Sequence, residues 1–152
     1  LESIVTISIE LARTEDLPAV LALLESSGLP KDGLAEHLAT TLVARDDGRV
    51  VGSAALEVYD AAALLRSVAV AAALRGRGLG QRLVQAALDL ARRRGVASVY
   101  LLTETAAGYF PRFGFRAIDR SAAPQAVQQS VEFALACPSS ALAMKVTLNE
   151  VI

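Results

Sequence analysis

The residues best suited to do chemistry are bunched in one run, Leu65-Arg66-Ser67-Val68-Ala69-Val70-Ala71-Ala72-Ala73-Leu74-Arg75-Gly76-Arg77-Gly78-Leu79-Gly80-Gln81. Closely spaced glycines ahead of a helix let successive backbone N–H groups converge with no side chain in the way, and the helix start adds partial positive charge. Such a turn selects an anion of the pyrophosphate kind. Close approach matters most at Gly78 and Gly80, while Arg75, Arg77 and Arg82 can pair phosphate oxygens. Two other phosphate turns do not fit. The P-loop needs Gly-Lys-Ser/Thr before its helix, and the dinucleotide fingerprint needs another glycine spacing and a parallel βαβ start. The plain structural alternative is that the glycines only permit tight packing of helix on strand.

Other candidates are single side chains. Alternation along Val50 to Tyr59 puts Glu57 on a face with Ser53 and Tyr59, away from Leu56 and Val58, so it is the best candidate base; an exposed, solvated carboxylate is the alternative. Arg66 shares a strand face with Val68 and Val70 and can clamp a carboxylate with two hydrogen bonds, or else form a cross-strand ion pair. The one histidine, His37, reads as structural or solvent-facing. With Cys137 the one cysteine, neither a disulfide nor zinc-ligand spacing is present, and no metal is expected.

These groups need elements to hold them. Ser3 to Leu11, rich in β-branched residues, reads as a strand, and Thr14 to Glu25 as a helix capped by Thr14 and ended by Gly28 and Pro30. A second helix is expected over roughly Asp32 to Ala39. Two apolar runs, Thr40 to Arg45 and Val50 to Tyr59, flank Asp46-Asp47-Gly48 as a hairpin, and Ala63 to Val70 continues the meander. Leu79 to Arg94 has helical periodicity with Gly95 as its C-terminal cap. The strand Val96 to Thr103 then follows, parallel to Ala63 to Val70 because a helix joins them. A helix around Thr105 to Phe113, a strand near Phe115 to Asp119, a helix from Pro124 to Ala136 with Val127, Val131 and Leu135 on its apolar stripe, and a strand from Ser140 to Leu148 complete the order. The fold class is α/β, a mixed sheet with helices.

The 152 residues suit one domain, 1–152, and the 53% hydrophobic fraction argues against disorder. A net charge of −1 gives no global pull on nucleic acid. Locally, Arg75, Arg77, Arg82, Arg92, Arg93 and Arg94 stand against the single acid Asp89, an imbalance that phosphate contact and helix-end charge explain. No apolar run reaches the roughly 18 residues of a membrane span and no signal-peptide pattern opens the chain, so a soluble cytoplasmic protein is expected.

Arg75-x-x-Gly78-x-Gly80, five residues after a Val-Ala-Val strand end, resembles the acyl-CoA signature of the GCN5-related N-acetyltransferase (GNAT) superfamily. Ala107-Gly108-Tyr109-Phe110-Pro111-Arg112-Phe113-Gly114-Phe115 is similar to that family's second signature, an aromatic helix ending in an aromatic-Gly-Phe turn. The resemblance spans about Leu11 to Leu148. It implies the GNAT acyl-CoA N-acyltransferase fold, a mostly antiparallel central sheet flanked by helices, whose parallel strands ending at Val70 and Thr103 splay. It also implies acetyl-CoA as cofactor, on Val68, Ala69, Val70, Arg75, Gly76, Arg77, Gly78, Leu79, Gly80, Gln81 and Phe110. Val68 and Val70 would hold the pantetheine arm and polarise the acetyl carbonyl. Transfer to the amine would be direct, so Cys137 is not needed as a nucleophile and reads as a buried thiol.

Two positions depart from the family pattern. Ala72 stands where relatives commonly have proline, which changes only loop stiffness. The tyrosine that protonates the departing thiolate in many relatives aligns with Phe110. Tyr109, the candidate acid, is one helical step of about 100° away and is expected to point elsewhere.

The tail Pro124-x-x-Val127-x-x-Ser130-x-Glu132-Phe133-x-x-x-Cys137-Pro138-x-Ser140-Ala141-x-x-Met144 resembles the arsenic-resistance N-acetyltransferases, relatives of the amino-acid N-acetyltransferases. With Arg66 beside the expected acetyl position, the acceptor implied is a small amino-acid-like amine, with no nucleic acid or membrane partner and a possible homodimer. The alternatives are acetylation of a protein, peptide or antibiotic amine, or a non-catalytic acyl-CoA sensor.

Overall fold

Turn chemistry sets the antiparallel part of the sheet. Asp47 and Gly48 take positive φ of 52° and 83°, the pair of left-handed residues that a tight two-residue hairpin demands, and Asp60 (φ 57°) turns the next one. The computed structural model describes residues 7–130, 132–136 and 140–148. The start of the expected first strand at Ser3, Val131 of the expected stripe, and Cys137 with its expected burial lie outside the described residues, as does the side chain of Leu135.

The strands are β1 (Ile7–Leu11), β2 (Thr41–Asp46), β3 (Arg49–Tyr59), β4 (Ala62–Val70), β5 (Ser98–Thr103), β6 (Arg116–Ile118) and β7 (Leu142–Thr147). Among the described residues they form one sheet in the order β1-β2-β3-β4-β5-β7-β6. All pairings are antiparallel except β4 with β5. Helix α1 (Leu17–Ser26) buries Val20 and Leu24 in a small cluster with Leu34, Val43, Ala55 and Ala69. Helix α2 (Leu79–Arg93) buries Leu79, Leu83, Val84, Ala87, Leu88, Leu90 and Ala91, one continuous face, in the main core with Ala44, Val51, Leu56, Ala63, Val99 and Leu101. A third cluster gathers Leu64, Tyr100, Val127 and Phe133. No helix among the described residues is long and apolar enough to cross a membrane.

Two features of β4 matter most. Its parallel pairing to β5 is confined to Ala62–Leu64 against Ser98–Tyr100, after which β5 keeps pairing with β7 out to Thr103 while β4 goes its own way. The strands splay as the family resemblance implies. On its other side, Ser53 pairs with Ala69 and Ala55 with Arg66, so Ala54 faces both Ser67 and Val68 in a bulge. Ser67 takes φ 61° there, and Ser53 Oγ donates to its carbonyl at 2.7 Å.

Several elements differ from the sequence expectation. Thr14 does not cap α1; a 3₁₀ turn (Thr14–Asp16) precedes it, with the Arg13 N–H donating to Asp16 Oδ2 at 2.7 Å. Asp16 is buried and also receives Arg45, at 2.8 and 3.0 Å, and this pairing lowers its carboxyl pKa to about 2. The expected helix over Asp32 to Ala39 is a kinked 3₁₀ segment, Leu34–Thr40. In place of a helix over Thr105 to Phe113 there is only a 3₁₀ turn, Phe110–Phe113, with Pro111 in its first turn. The expected helix from Pro124 to Ala136 is α3 (Gln125–Gln128) followed by a π-helical turn, Glu132–Ala136.

Gly52 of β3 lies under α2. A Cβ there would fall 2.8 Å from Leu83 Cδ1, 3.2 Å from Ala44 Cβ and 3.2 Å from the Ala69 carbonyl oxygen. Overpacking of this kind costs about 1–3 kcal/mol, against about 0.4–1 kcal/mol gained from a stiffer unfolded chain. Gly52→Ala is therefore expected to lose about 1 kcal/mol net, read as a lower urea midpoint with an unchanged slope.

Candidate functional site

The glycine turn takes the shape its composition requires. Gly76 and Gly78 adopt φ of 80° and 82°, Gly78 as the residue that starts α2, and neither has any atom within 4 Å of where a Cβ would stand. The helix's own ladder begins with the Arg82 N–H donating to the Gly78 carbonyl at 3.1 Å. The amides of Leu79, Gly80 and Gln81 therefore stand outside it at the positive end of a 15-residue helix. They open on a hollow of about 410 Å³ walled by Val70, Leu74, Arg75, Tyr109 and Arg112.

The arginines divide. Arg75 lies on the hollow, its Nε donating to the Val70 carbonyl at 3.0 Å. Arg82 turns instead to β1, where Nη2 donates to the Ile7 carbonyl at 3.3 Å, and Arg77 is exposed and lines neither cavity. Arg112, which gets no role from the sequence, lines the hollow where they do not. Its guanidinium stacks 4.3 Å from the Tyr109 ring centre and its Nε donates to the Tyr109 carbonyl at 2.9 Å. The available signal was a basic residue inside an aromatic run next to the second signature's turn.

Where β4 and β5 part, a cleft of about 890 Å³ opens between Leu65–Val68 on one side and Leu101–Thr103 on the other. Gly80 and Arg75 stand at one end, and Ser27–Pro30, Arg66 and Glu132 also line it. Tyr109 borders both cavities, its hydroxyl 3.5 Å from the Cβ position at Gly80. This corrects the expectation that Tyr109 points elsewhere. The 100° step presumes an α-helix, but the chain reaches Tyr109 through a turn closed by the Tyr109 N–H on the Ala106 carbonyl at 2.9 Å. Phe110, at the usual tyrosine position, is buried and backs the cleft, its ring 5.7 Å from Phe115 and 5.3 Å from Tyr109. Burial raises the Tyr109 phenol pKa, with Arg112 opposing, so the hydroxyl keeps its proton at neutral pH.

The charged cluster behind the cleft differs from the expected surface carboxylate and open clamp. Glu57 is 1% exposed and does not line the cleft. Its Oε1 accepts from Tyr59 Oη at 2.5 Å and lies 3.8 Å from His37 Nε2, and its Oε2 accepts from Arg66 Nη1 at 2.9 Å. Arg66 is a buried cation. Besides Glu57 it reaches the carbonyls of Asp32 (2.7 Å) and Pro30 (3.2 Å), Ser67 Oγ (3.1 Å), and Glu132 Oε1 (3.1 Å). The cross-strand ion pair is thus the arrangement found, and few guanidinium donors are left for a ligand carboxylate. Glu132, to which sequence gives no role, lines the cleft, and burial raises its pKa to about 7 against the pull of Arg66, with Glu57 adding to the rise. Its signal was a lone acid in the apolar stretch around Phe133. Ser27 Oγ, buried at the same end, has no hydrogen-bond partner.

Comparison with known proteins bears on the family and the fold. An acetyltransferase (GNAT) family model matches residues 9–115. An uncharacterized N-acetyltransferase of Chlorobaculum tepidum is 33% identical over 97 residues, covering 63% of this chain and 62% of that protein. The amino-acid acetyltransferase of Neisseria meningitidis is 27% identical over 128 residues, 78% of this chain and 29% of that protein. The chain thus spans less than two thirds of either curated relative. Among solved structures, a Mycobacterium tuberculosis protein in complex with CoA superposes with TM-score 0.80 at 26% identity, over 93% of this chain and 99% of that one. The N-acetylglutamate synthase of Neisseria gonorrhoeae, complexed with coenzyme A and N-acetyl-glutamate, shares the fold with TM-score 0.82 at 22% identity, over 99% of this chain and 36% of that one.

A Cβ at Gly80 would meet only ordinary contacts, 3.5 Å to Tyr109 Oη and 3.7 Å to Val70 Cγ2, so a methyl group fits there without a clash. Gly80→Asp sets a negative charge before the free amides and is expected to weaken coenzyme A binding by about 100-fold, roughly 2.7 kcal/mol. Gly80→Ala is expected to weaken it far less; isothermal titration calorimetry reads both.

Proposed function

The chain belongs to the acetyltransferase (GNAT) family, and from that premise we propose that it is an acetyl-CoA-dependent N-acetyltransferase acting on the amine of a small, amino-acid-like acceptor. The observation that carries this reading is the continuous cleft along the free edge of β4, with unpaired helix-start amides at one end and a carboxylate at the other. The open ground around Gly76 and Gly78 and the unclaimed amides fit a diphosphate. Bound there, acetyl-CoA would supply an activated acetyl thioester.

The chain's own residues divide the work. Leu79, Gly80 and Gln81 amides with Arg75 and Arg112 hold phosphate. Val68, Ala69 and Val70 offer main-chain groups to an extended arm, and the bulge at Ser67 turns the backbone of Val68 out of the β3 ladder, where its N–H can polarise an acyl carbonyl. The acceptor reaches the same point from the side of Ser27–Pro30, which line the cleft.

An attacking amine must be neutral. A peptide α-amino group of pKa ~8 loses roughly 1.4 kcal/mol at pH 7 and a lysine amine of ~10.4 loses roughly 4.6; the α-amine of a free amino acid, with its carboxylate alongside, falls between the two, so it is an easier acceptor than lysine. The amino-acid acetyltransferase among the relatives supports the same class. The tail's likeness to the arsenic-resistance N-acetyltransferases, relatives of the amino-acid N-acetyltransferases, supports the same amino-acid-like class. A thiol of pKa ~8.5 leaves without strong acid help, so the Tyr109 hydroxyl assists without being required.

A panel of free amines with acetyl-CoA and thiol detection tests this. α-Amino acids are expected to exceed lysine side-chain amines in kcat/KM by at least about 10-fold. Coenzyme binding with no thiol release from any amine would instead support an acyl-CoA sensor. Tyr109→Phe is expected to lower kcat by about 10-fold, short of the 10²–10⁴ of a required acid, without changing coenzyme affinity.

A further inference from the structure

Resting on the acetyltransfer reading, the geometry points to one further assignment. We propose that Glu132 takes the proton from the acceptor ammonium, and that Arg66 and Glu57 are positioning residues that hold its carboxylate at the cleft wall.

Two glutamates line the cleft, Glu104 and Glu132, and a third, Glu57, stands behind its wall. Glu104 is an exposed residue on the cleft rim, and Glu57 is withdrawn behind the wall with both oxygens committed. Glu132 alone of the three is both buried, with a side chain 6% exposed, and part of the cleft lining. Its ion pair with Arg66 Nε uses Oε1. The backbone that carries it is fixed on both sides: the Phe133 N–H donates to Ser130 Oγ at 3.0 Å, the Ala134 N–H to the Ser130 carbonyl at 2.8 Å, and Phe133 is buried against Tyr100 and Val127.

The charge count gives the cluster a bias toward cations. Arg66 faces Glu132 from β4, and Glu57 faces the same guanidinium from β3; behind Glu57 stand Tyr59 and His37. Two carboxylates against one arginine leave the cluster one negative charge in excess when both are ionised. An ammonium group entering from Ser27–Pro30 meets that excess. Burial and the like charge of Glu57 bring the Glu132 carboxyl to about 7, where a general base is best matched to neutral pH.

The step balances as follows. One proton passes from the acceptor ammonium to the Glu132 carboxylate, freeing the nitrogen lone pair. Nitrogen then bonds to the acetyl carbon while the carbon–sulfur bond breaks and sulfur keeps its electron pair. A second proton moves from nitrogen to sulfur through Tyr109 or water, and Glu132 returns its proton to solvent.

The test compares wild type, Glu132→Gln and Glu132→Asp over pH 5.5–9 on an α-amino acid acceptor, with calorimetry of coenzyme A in parallel. Wild-type kcat/KM is expected to rise with pH through a limb near 7. Glu132→Gln keeps an oxygen for Arg66; it should lose that limb and about 10²–10⁴-fold in kcat/KM while coenzyme affinity stays within about 2-fold. Glu132→Asp should restore part of the rate and the limb, and carboxyl ¹³C NMR should show a signal titrating near pH 7 that Glu132→Gln lacks. A Gln variant that keeps the limb and the rate overturns this assignment alone. Wild type that binds coenzyme A yet acetylates no amine overturns the acetyltransfer reading, and this assignment with it.

Discussion

The structure depends on a parallel strand pair that is deliberately short. β4 and β5 are joined only at Ala62–Leu64 and Ser98–Tyr100, and every later feature of the site follows from what that leaves open. Backbone hydrogen-bonding groups exposed along a strand edge are costly to bury unpaired. Here they border a cleft wide enough for an extended ligand to lie along them. The strands can part because each has another partner: β3 holds β4 as far as Val70, and β7 holds β5 as far as Thr103. Helix α2, packed on β3 through a wholly apolar face, then brings its uncapped start to the mouth of the gap. One chain segment, Leu65 to Gln81, thereby supplies both the strand edge and the glycine turn that starts α2.

The second constraint is the buried Arg66. A guanidinium out of water must be fully partnered, and this one is bound by two carboxylates, two carbonyls and a hydroxyl. It ties β3, β4, the 30–32 segment and the π turn together at the cleft wall. Removing either carboxylate alters the charge seen by the other, so the three residues act as one electrostatic unit.

Much of this was legible in the residues. Both glycine signals, the hairpin at Asp47-Gly48 and the apolar face of α2 follow local rules in which neighbouring positions decide the outcome, and the strands and α2 formed as expected. What failed was what depends on distant parts of the chain. Glu57 alternates as a surface residue would, but its partner Arg66 comes from another strand and draws it inward. Tyr109 is a local exception: the spacing predicts a helix, whereas Gly108 and Pro111 make a turn and a 3₁₀ segment that bring its ring to the cleft. Arg112 and Glu132 stand inside the second signature and the tail pattern, but no spacing gives either a task, and they acquire meaning only once the fold sets them beside Gly80 and Arg66.

The most direct test of the central claim is an NMR titration of ¹⁵N-labelled protein with coenzyme A. Binding at the helix start requires the amide resonances of Leu79, Gly80 and Gln81 to shift most, accompanied by those of the β4 edge at Val68 to Val70. Saturable binding that moves residues elsewhere and leaves these amides unperturbed would contradict it.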